Sequence, residues 1–337
     1  MAAVDPLGGR RGVAGLKEIL QLVEEDLGRV EALFQQQVRS DVRLVAEIGR
    51  YIQEGGGKRI RPALLLLACR VCGHADDRAI LLASVVEFIH TATLLHDDII
   101  DEATVRRGRR SVNSRWGNDI TVLLGDFLYT KSMSMALSQD NLPILRLLSD
   151  VTLRMIEGEI LEIERNGDMN VSPEDHLDII RRKTADLFSA CMRIGSMLAR
   201  AGPERQEALA RYGLSLGICF QMVDDLLDFT AEEATLGKPV ANDLREGKLT
   251  LPMIFLLRRA GAREADMVAT VLADRGFTRV TREEIVRLAR EHGALEEARS
   301  LAQQYADAAR RELLAFERSP YREALEVLPD FILARDH

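Results

Sequence analysis

Apolar residues recur every three or four positions through most of the chain, the spacing that gathers them on one face of an α-helix. Residues 16–34 are the clearest case, with apolar side chains at Leu16, Ile19, Leu20, Val23, Leu27, Val30 and Leu33. The same rhythm predicts helices over 42–52, 58–67, 77–101, 120–137, 144–163, 178–199, 203–229, 296–316 and 321–333. No convincing run alternates with the period of a strand. The pattern therefore predicts an all-α protein, a large helical bundle around a central cavity.

Several helix starts carry their own signals. Asp76 stands just before the long apolar stretch that follows it. Ser172 with Pro173 matches an N-cap followed by proline at the first helical position. Thr281 with Glu284 has the spacing of a capping box. These residues fix where three of the predicted helices begin.

A triplet of aspartates follows the most apolar helix of the chain. The segment reads HTATLLHDDIIDEATVRRGRR and places Asp97, Asp98 and Asp101 at its end. On a helix Asp97 and Asp101 lie one turn apart on one face. Like charges so close repel unless a cation lies between them, and Mg²⁺ is commonly shared between carboxylates and substrate phosphates. The alternative is a solvated acidic helix end.

A second triplet has the same spacing. The segment QMVDDLLDF carries Asp224, Asp225 and Asp228, again at the end of an apolar helix. Two such triplets at the same helical phase predict two walls of one cavity. A diphosphate with several metal ions would fit between those walls.

A glycine run precedes a basic turn. Gly55–Gly57 would let the backbone approach an anion, and Lys58 and Arg61 are expected on the first turn of the next helix, whose N-terminus favours negative charge. The alternative is a basic surface turn. His90 lies two turns before the first triplet, where a lone histidine is more often a core residue than a ligand.

Two other polar segments are interpreted as not belonging to the site. The glutamates at 157, 159, 162 and 164 spread around their helix and are interpreted as surface or structural residues. Asn242, Asp243 and Lys248 occupy a loop that reads as solvated surface, although Lys248 is a weaker candidate for approaching the site.

Composition limits the remaining classes of function. The 337 residues contain no linker, and we expect a flexible tail over residues 1–13 and one all-α domain over 14–337. The formal net charge of −8 argues against a general nucleic-acid binder. We expect no apolar run long enough to span a membrane, and the N-terminus lacks a signal-peptide core. Cys69 and Cys72 form a CxxC without a second ligand pair, which indicates buried helical thiols.

With its motifs in view, the chain resembles the trans-isoprenyl diphosphate synthases, also called polyprenyl synthetases. The resemblance runs from about residue 44 to 335 and is nearest to the long-chain members that make octaprenyl, solanesyl or decaprenyl diphosphate. Its motifs are GGGKRIRP at 55–62, HDDIIDEATVRRG at 96–108, GDFLYT at 125–130, KT at 183–184, QMVDDLLDF at 221–229, GKP at 237–239 and EGKLTLP at 246–252.

This resemblance implies roles for individual residues. The six aspartates would bind Mg²⁺, three ions per active site. The diphosphate of isopentenyl diphosphate would be bound by Lys58, Arg61, His90 and Arg107. The allylic diphosphate would be bound by Arg106, Lys183, Thr184, Gln221 and Lys238. The resemblance also implies an isoprenoid-synthase-type bundle, a homodimer, a cytoplasmic location and a product used for quinone side chains.

Product length is expected to depend on small residues before the first triplet. In the family, bulky side chains four and five positions before the first aspartate stop growth, and here Thr93 and Ala92 stand there. The tail would then pass towards Phe88 and Ile89, with Met133 and Ala136 as weaker candidates for the tunnel wall. Alternatives are a shorter-chain, geranylgeranyl-type synthase, a class I terpene cyclase, and a non-catalytic subunit that would have lost aspartates.

Overall fold

The computed structural model describes residues 15–74, 76–230 and 241–335. Its first helices are α1 (Leu16–Gln21) and α2 (Glu24–Gln37), so the helix predicted over 16–34 is interrupted at Leu22 and Val23. There follow α3 (Arg43–Glu54), α4 (Ile60–Val71) and α5 (Asp77–Ile100). The expected tail over residues 1–13 lies outside the described residues.

A short β-hairpin follows α5, which the sequence pattern did not predict. Strands β1 (Val105–Arg106) and β2 (Arg109–Arg110) pair antiparallel. Arg107 and Gly108 form the turn with φ of 53° and 73°. Positive φ at both turn residues suits a tight two-residue hairpin, whose strands here are too short to leave an alternating pattern.

The second half continues the bundle. Its helices are α6 (Val112–Trp116), α7 (Asn118–Leu137), α8 (Leu142–Arg165), α9 (Pro173–Ile180), α10 (Asp186–Leu198), α11 (Pro203–Thr230), α12 (Asn242–Glu246), α13 (Leu251–Arg259), α14 (Ala262–Asp274), α15 (Arg282–Glu291), α16 (Ala294–Glu312) and α17 (Pro320–Leu333). One π-helical turn, Arg181–Ala185, joins α9 to α10, and a 3-10 turn, Leu313–Ala315, follows α16.

The predicted helix starts are confirmed. Asp76 accepts a hydrogen bond from the backbone N–H of Arg78 at the start of α5. Ser172 caps α9 in a reciprocal box with Asp175, and Thr281 does the same with Glu284 at α15. These caps satisfy backbone N–H groups that no earlier turn of helix can bond.

The core is centred on α5, α10 and α11. Helix α5 packs mainly against α7, α4 and α2, while α10 packs between α11 and α4, and α11 packs against α16. Their buried side chains form one apolar cluster that includes Phe88, Phe188, Tyr212 and Phe229. The triplets therefore stand at the C-terminal ends of two long core helices, α5 and α11.

One expectation about membranes needs correction. Helix α5 is 24 residues long with a mean hydropathy of 1.6 over its most apolar window, long and apolar enough to cross a membrane. However, 72% of that window is buried within the fold. Its apolar character thus matches that of a core helix, and length and composition alone did not distinguish the two.

The four cysteines are free thiols, of which Cys69, Cys191 and Cys219 are buried and Cys72 is half-buried. Cys69 on α4 is buried and its thiol donates to the carbonyl of Gly195 at 3.3 Å. Burial raises the pKa of Cys69 to about 12 and that of Cys72 to about 11. Such thiols are poor nucleophiles at neutral pH, in agreement with the predicted structural role.

Candidate active site

A cavity of about 720 Å³ lies between the ends of α5 and α11. Asp97 of the first triplet and Asp224 of the second both line it. The other residues around it include Lys58, Arg61, His90, Thr93, Leu94, Arg106, Arg107, Met155, Lys183, Thr184, Phe188, Phe220, Gln221 and Arg335. The two sequence motifs therefore do face one common space.

Asp97 is the most perturbed carboxylate on this wall. Burial, then the negative charge of Glu159, raises the pKa of Asp97 to about 7, and Lys183 only partly opposes this. Among the described residues, Asp97 has no ion-pair partner within 4 Å, unlike both other aspartates of its triplet. A buried carboxylate in this state favours an incoming cation.

Its two neighbours already have cationic partners. Asp98 is buried and accepts a hydrogen bond from Nε of Arg106. Asp101, at the C-terminal end of α5, accepts from Nζ of Lys248 at 2.9 Å. The segment around Lys248 was interpreted mainly as solvated surface, and Lys248 itself reaches the first triplet.

The second triplet also has one aspartate that lines the cavity and two that do not. Asp224 lies 2.8 Å from Nη1 of Arg335, and burial raises its pKa against the effect of that arginine. Asp225 is buried 2.8 Å from Nε2 of His176. Only Asp224 of this triplet lines the cavity.

Asp228 instead organises the chain that returns after the triplet. Its carboxylate accepts the backbone N–H groups of Asn242 and Asp243, each at 3.1 Å, and its carbonyl accepts that of Ala241. It therefore caps α12, whose N-cap residue Ala241 has a φ of 55°. Lys238 and the GKP motif lie between these points, outside the described residues.

The carboxylates suit metal ions that are shared with a substrate. Across residues 15–74, 76–230 and 241–335, no three His, Cys, Asp or Glu side chains gather closely enough to form a metal site by themselves. Asp97 and Asp224 instead both line the cavity. Hard-oxygen donors on two walls fit Mg²⁺ that completes its coordination with phosphate oxygens and water.

A basic wall lies beside the aspartates. Arg61 donates from Nη1 to Nε2 of His90 at 3.0 Å and stacks over the ring of Phe188. Its Nε is buried without a hydrogen-bond partner among the described residues. Burial, followed by Arg61, lowers the pKa of His90 well below its ordinary value, so the ring is neutral at neutral pH. The unused donor of Arg61 is available to an anion.

Lys58 is placed differently from the prediction. Helix α4 begins at Ile60, and Arg59 before it has a left-handed φ of 47°, so Lys58 precedes the helix while Arg61 lies on its first turn. Lys58 still lines the cavity, where burial, then Arg335, lowers its pKa. The local chain is bent because Arg59 turns away to pair with Glu87 and Glu31.

The glycine run meets the hairpin at close range. Arg107 donates from Nη1 to the carbonyl of Gly56. A Cβ at Gly57 would lie 2.7 Å from the same Arg107 atom. Glycine at 57 thus allows the guanidinium to approach the backbone, which brings Arg107 beside Lys58 and Arg61 as the resemblance implied.

The π-helical turn brings two predicted diphosphate ligands to the cavity. Lys183 pairs with Glu162 at 2.6 Å and Glu159 at 2.8 Å. Burial alone would lower the pKa of Lys183, but the two glutamates outweigh it and raise the pKa. Of the two predicted roles, surface or structural, the structural one applies to glutamates 159 and 162, whose side chains are mostly buried. Their partners come from elsewhere in the sequence, so no local signal could reveal them.

The remaining polar residues of this wall form a hydrogen-bonded series. The hydroxyl of Thr184 donates to Oε1 of Gln221 at 2.9 Å, and Nε2 of Gln221 donates to Asp225 at 3.1 Å. His176 and Arg335 were not singled out from the sequence. Neither belongs to a motif that would have distinguished it.

The cavity is also lined by apolar side chains. Leu94, Met155, Phe188 and Phe220 line it, together with Thr93 of the predicted chain-length pair. Ala92 is buried on α5 and is not among the residues that line the cavity. Met133 and Ala136 lie on α7, the helix that packs against α5, and do not line it either.

Comparison with known proteins agrees with this site. The family model for polyprenyl synthetase matches residues 42–288. The octaprenyl diphosphate synthase of Escherichia coli is 39% identical over 321 residues, which cover 95% of this chain and 99% of that protein.

Solved structures give the same result. A polyprenyl synthase from Caulobacter crescentus, complexed with calcium and isoprenyl diphosphate, has a TM-score of 0.92 and 37% identity, covering 97% of this chain and all of that one. A decaprenyl diphosphate synthase from Rhodobacter capsulatus has a TM-score of 0.91 and 36% identity over 96% of this chain and 99% of that one. The chain therefore belongs to the polyprenyl synthetase family of prenyltransferases, with the isoprenoid-synthase helical fold.

Proposed function

We propose that the protein is a long-chain trans-polyprenyl diphosphate synthase. It extends an allylic diphosphate, such as farnesyl diphosphate, with successive isopentenyl diphosphates to a product of octaprenyl to decaprenyl length. The observation that carries the proposal is one cavity lined by Asp97 and Asp224 of the two triplets, by basic residues and by apolar residues. This set of groups suits an anionic head and a growing hydrocarbon tail.

The basic wall would hold isopentenyl diphosphate. Lys58, Arg61 and Arg107 offer positive charge, and the guanidinium groups also offer paired N–H donors to phosphate oxygens. His90 is neutral and accepts from Arg61, so it orients that guanidinium rather than adding charge. The olefin of this substrate would then lie towards the allylic carbon.

Asp97, Asp101 and Asp224 would hold Mg²⁺ most directly, with three ions per active site. When bound, these ions neutralise the charge that grows on the departing diphosphate. Asp98 keeps Arg106 in place, and Arg106 with Lys183 adds positive charge to the same diphosphate. Lys183 must then exchange contacts with Glu159 and Glu162 for contacts with substrate.

The reaction separates charge and then joins carbon to carbon. The allylic C–O bond breaks and its electron pair leaves with the diphosphate. The double bond of isopentenyl diphosphate attacks the allylic cation, and a proton passes from the adduct to the released diphosphate. Phe188, Phe220, Leu94 and Met155 keep this space poor in water, which would otherwise capture the cation.

The growing tail would continue past Thr93 between α5 and α7. Thr93 lines the cavity, while the small side chains of Ala92 and Ala136 are buried on the two packed helices. Met133 on α7 is partly buried against the same core. Flexible or small residues between these helices would let a long chain enter by displacing side chains.

One assay tests this proposal. The purified protein is incubated with farnesyl diphosphate, labelled isopentenyl diphosphate and Mg²⁺, and the dephosphorylated alcohols are separated by chain length. We expect alcohols of octaprenyl to decaprenyl length. No product should form when a chelator removes Mg²⁺. Geranylgeraniol would identify a shorter-chain synthase, a cyclic hydrocarbon a terpene cyclase, and no product a non-catalytic subunit.

We also propose that the product becomes a quinone side chain and that the enzyme acts in the cytoplasm. The long apolar tail is what membrane anchoring of a quinone requires. A strain without this protein should contain no quinone with that tail length, and cell fractionation should recover the protein with the soluble fraction. A full-length quinone in that strain would contradict the assignment.

A further inference from the structure

A buried polar series connects the second triplet to a residue outside the cavity. His176 on α9 and Asp225 on α11 have side chains only 8% and 5% exposed. Nε2 of His176 lies 2.8 Å from Oδ2 of Asp225. Buried polar groups in this setting are costly unless each is paired, so the contact defines how both side chains are oriented.

The other oxygen of Asp225 continues the series towards the cavity. Oδ1 accepts from Nε2 of Gln221 at 3.1 Å, and Oε1 of Gln221 accepts from the hydroxyl of Thr184 at 2.9 Å. Because an ionised carboxylate only accepts hydrogen bonds, the amide nitrogen of Gln221, and not its oxygen, must point towards Asp225. Gln221 and Thr184 both line the cavity, whereas Asp225 and His176 do not.

The backbone on the far side is also specialised. Thr184 lies in the π-helical turn Arg181–Ala185, directly after α9, which carries His176. The turn packs tightly on α8, since a Cβ at Gly158 would lie 2.8 Å from Cβ of Arg182 and 2.9 Å from N of Lys183. One π-turn inside a helix is a frequent feature of functional sites. The hydrogen-bonded series therefore joins the π-helical turn, which carries Thr184, to α11, which carries Gln221.

We propose that His176 is a positioning residue for the leaving diphosphate and that it acts through Asp225 on Gln221. With Asp225 held by His176, the amide nitrogen of Gln221 keeps one hydrogen on Asp225 and a second for a diphosphate oxygen in the cavity. Asp225 then serves this series rather than binding metal directly. The inference rests on the proposed function, because it assigns the allylic diphosphate to this wall.

Removal of His176 should therefore affect one substrate more than the other. A carboxylate with one partner lost can rotate, and Gln221 loses its fixed orientation. Within the described part of the chain, Lys58, Arg61 and Arg107 line the same cavity but make no hydrogen bond with the series, since Arg61 bonds to His90 and Arg107 to Gly56. A change confined to the allylic side would distinguish positioning from a general loss of structure.

The experiment compares His176→Leu with His176→Gln in the full chain. Leucine removes the donor, while glutamine carries its amide nitrogen the same number of bonds from Cα as Nε2 of histidine. We expect His176→Leu to weaken binding of inorganic diphosphate with Mg²⁺ about tenfold, as for loss of one hydrogen bond to a charged group. In His176→Leu the KM for the allylic substrate should also rise, while the KM for isopentenyl diphosphate should stay within about twofold of the wild-type value. His176→Gln should recover most of the lost diphosphate affinity.

Two further variants separate positioning from stability. Ser172→Ala removes the side-chain cap of α9 and so lowers stability without touching the series. In the double variant His176→Leu with Gln221→Met, loss of His176 should have little additional effect, since its path to substrate is already gone. Equal losses for both substrates, the same profile from Ser172→Ala, or an undiminished effect in the double variant would overturn the proposal.

The proposed function and the positioning role of His176 are tested separately. If the wild-type protein makes no polyprenyl product, the proposed function is wrong, and the diphosphate-binding comparison still measures the series itself. If wild type is active and His176→Leu binds diphosphate as well as wild type does, only the positioning role is wrong.

Discussion

The six aspartates differ in their surroundings more than in their sequence motifs. Asp97 and Asp224 face the cavity, Asp101 pairs with Lys248, and Asp98 and Asp225 are buried against Arg106 and His176. A DDxxD spacing predicts that the carboxylates gather but not which of them reach a ligand. That division depends on residues from other helices, which the spacing does not contain.

The raised pKa of Asp97 predicts how metal binding depends on pH. The carboxylate must lose its proton to bind a cation, and its pKa is about 7. The affinity for Mg²⁺ with inorganic diphosphate should therefore rise by up to about tenfold for each pH unit below pH 7 and level off above pH 7. This dependence adds to the one that comes from the titration of diphosphate itself. Calorimetry from pH 5.5 to 8 measures this, and Asp97→Asn should lose affinity and this extra dependence.

The same shift predicts the stability of the metal-free protein. Because the folded pKa of Asp97 lies above the unfolded value of 3.8, the folded state binds more protons between these values. The stabilisation from this group is complete below pH 3.8 and is lost as pH rises towards 7. Asp97→Asn should remove that contribution, so unfolding free energies of wild type and variant should differ in slope across this range. Parallel slopes would contradict the shifted pKa.

The two diphosphate sites should separate in kinetics. Arg61→Ala removes the guanidinium with an unpaired Nε, and Lys58→Ala removes the neighbouring charge. Each should raise the KM for isopentenyl diphosphate at least about tenfold and that for the allylic substrate much less. Arg146→Ala, an exposed charge on α8, is the matched control. Equal losses for both substrates would show that the assignment of sites is wrong.

At the scale of elements, helices were predictable and their irregular joints were not. The caps at Asp76, Ser172 and Thr281 are local, so sequence spacing revealed them. The left-handed Arg59 that delays α4 is held by distant Glu87, and the π-turn at Arg181–Ala185 changes a hydrogen-bond register without changing composition. Both irregularities carry site residues, which is why the site was less completely predicted than the fold.

The packing of α5 predicts product length. Thr93→Phe should place a ring in the cavity that Thr93 lines, and Ala92→Phe should obstruct the contact of α5 with α7. Overpacked sites reject further methylenes, so both variants should release shorter alcohols while early condensations proceed. Chromatography of the alcohols is the measurement, with Thr93→Ser as the small-for-small control. A folded, active Thr93→Phe variant with unchanged products would refute the tunnel.

At the scale of the whole molecule, one helix presents an apolar surface. Leu153, Ile156, Ile160 and Ile163 repeat along one face of α8 and are 58%, 51%, 51% and 48% exposed. Leu123 on the neighbouring α7 is 64% exposed. Contiguous apolar side chains of this size indicate a surface that another protein covers, and a second copy of the chain is the proposed partner.

Light scattering tests this assembly. The wild-type chain should have the mass of a homodimer at working concentrations. Ile156→Glu combined with Ile160→Glu should shift it to a monomer, because charges would have to be buried unpaired. Leu314→Glu, a change at a 74% exposed leucine outside that surface, should leave the dimer intact. A monomeric wild type would refute the proposed assembly.

The contacts of Asp228 affect the conformational entropy of the chain that follows α11. By binding the backbone N–H groups of Asn242 and Asp243, Asp228 joins two points of the chain that are 14 and 15 residues apart, so its hydrogen bonds oppose the chain entropy that would be gained if these points separated. Closure entropy grows only with the logarithm of loop length, and doubling a flexible loop costs about 0.6 kcal/mol. The protein should therefore tolerate a glycine-serine insertion within 231–240 with little loss of melting temperature, whereas Asp228→Ala should lower it clearly. The number of residues between these two points should thus affect the melting temperature less than the hydrogen bonds that join them.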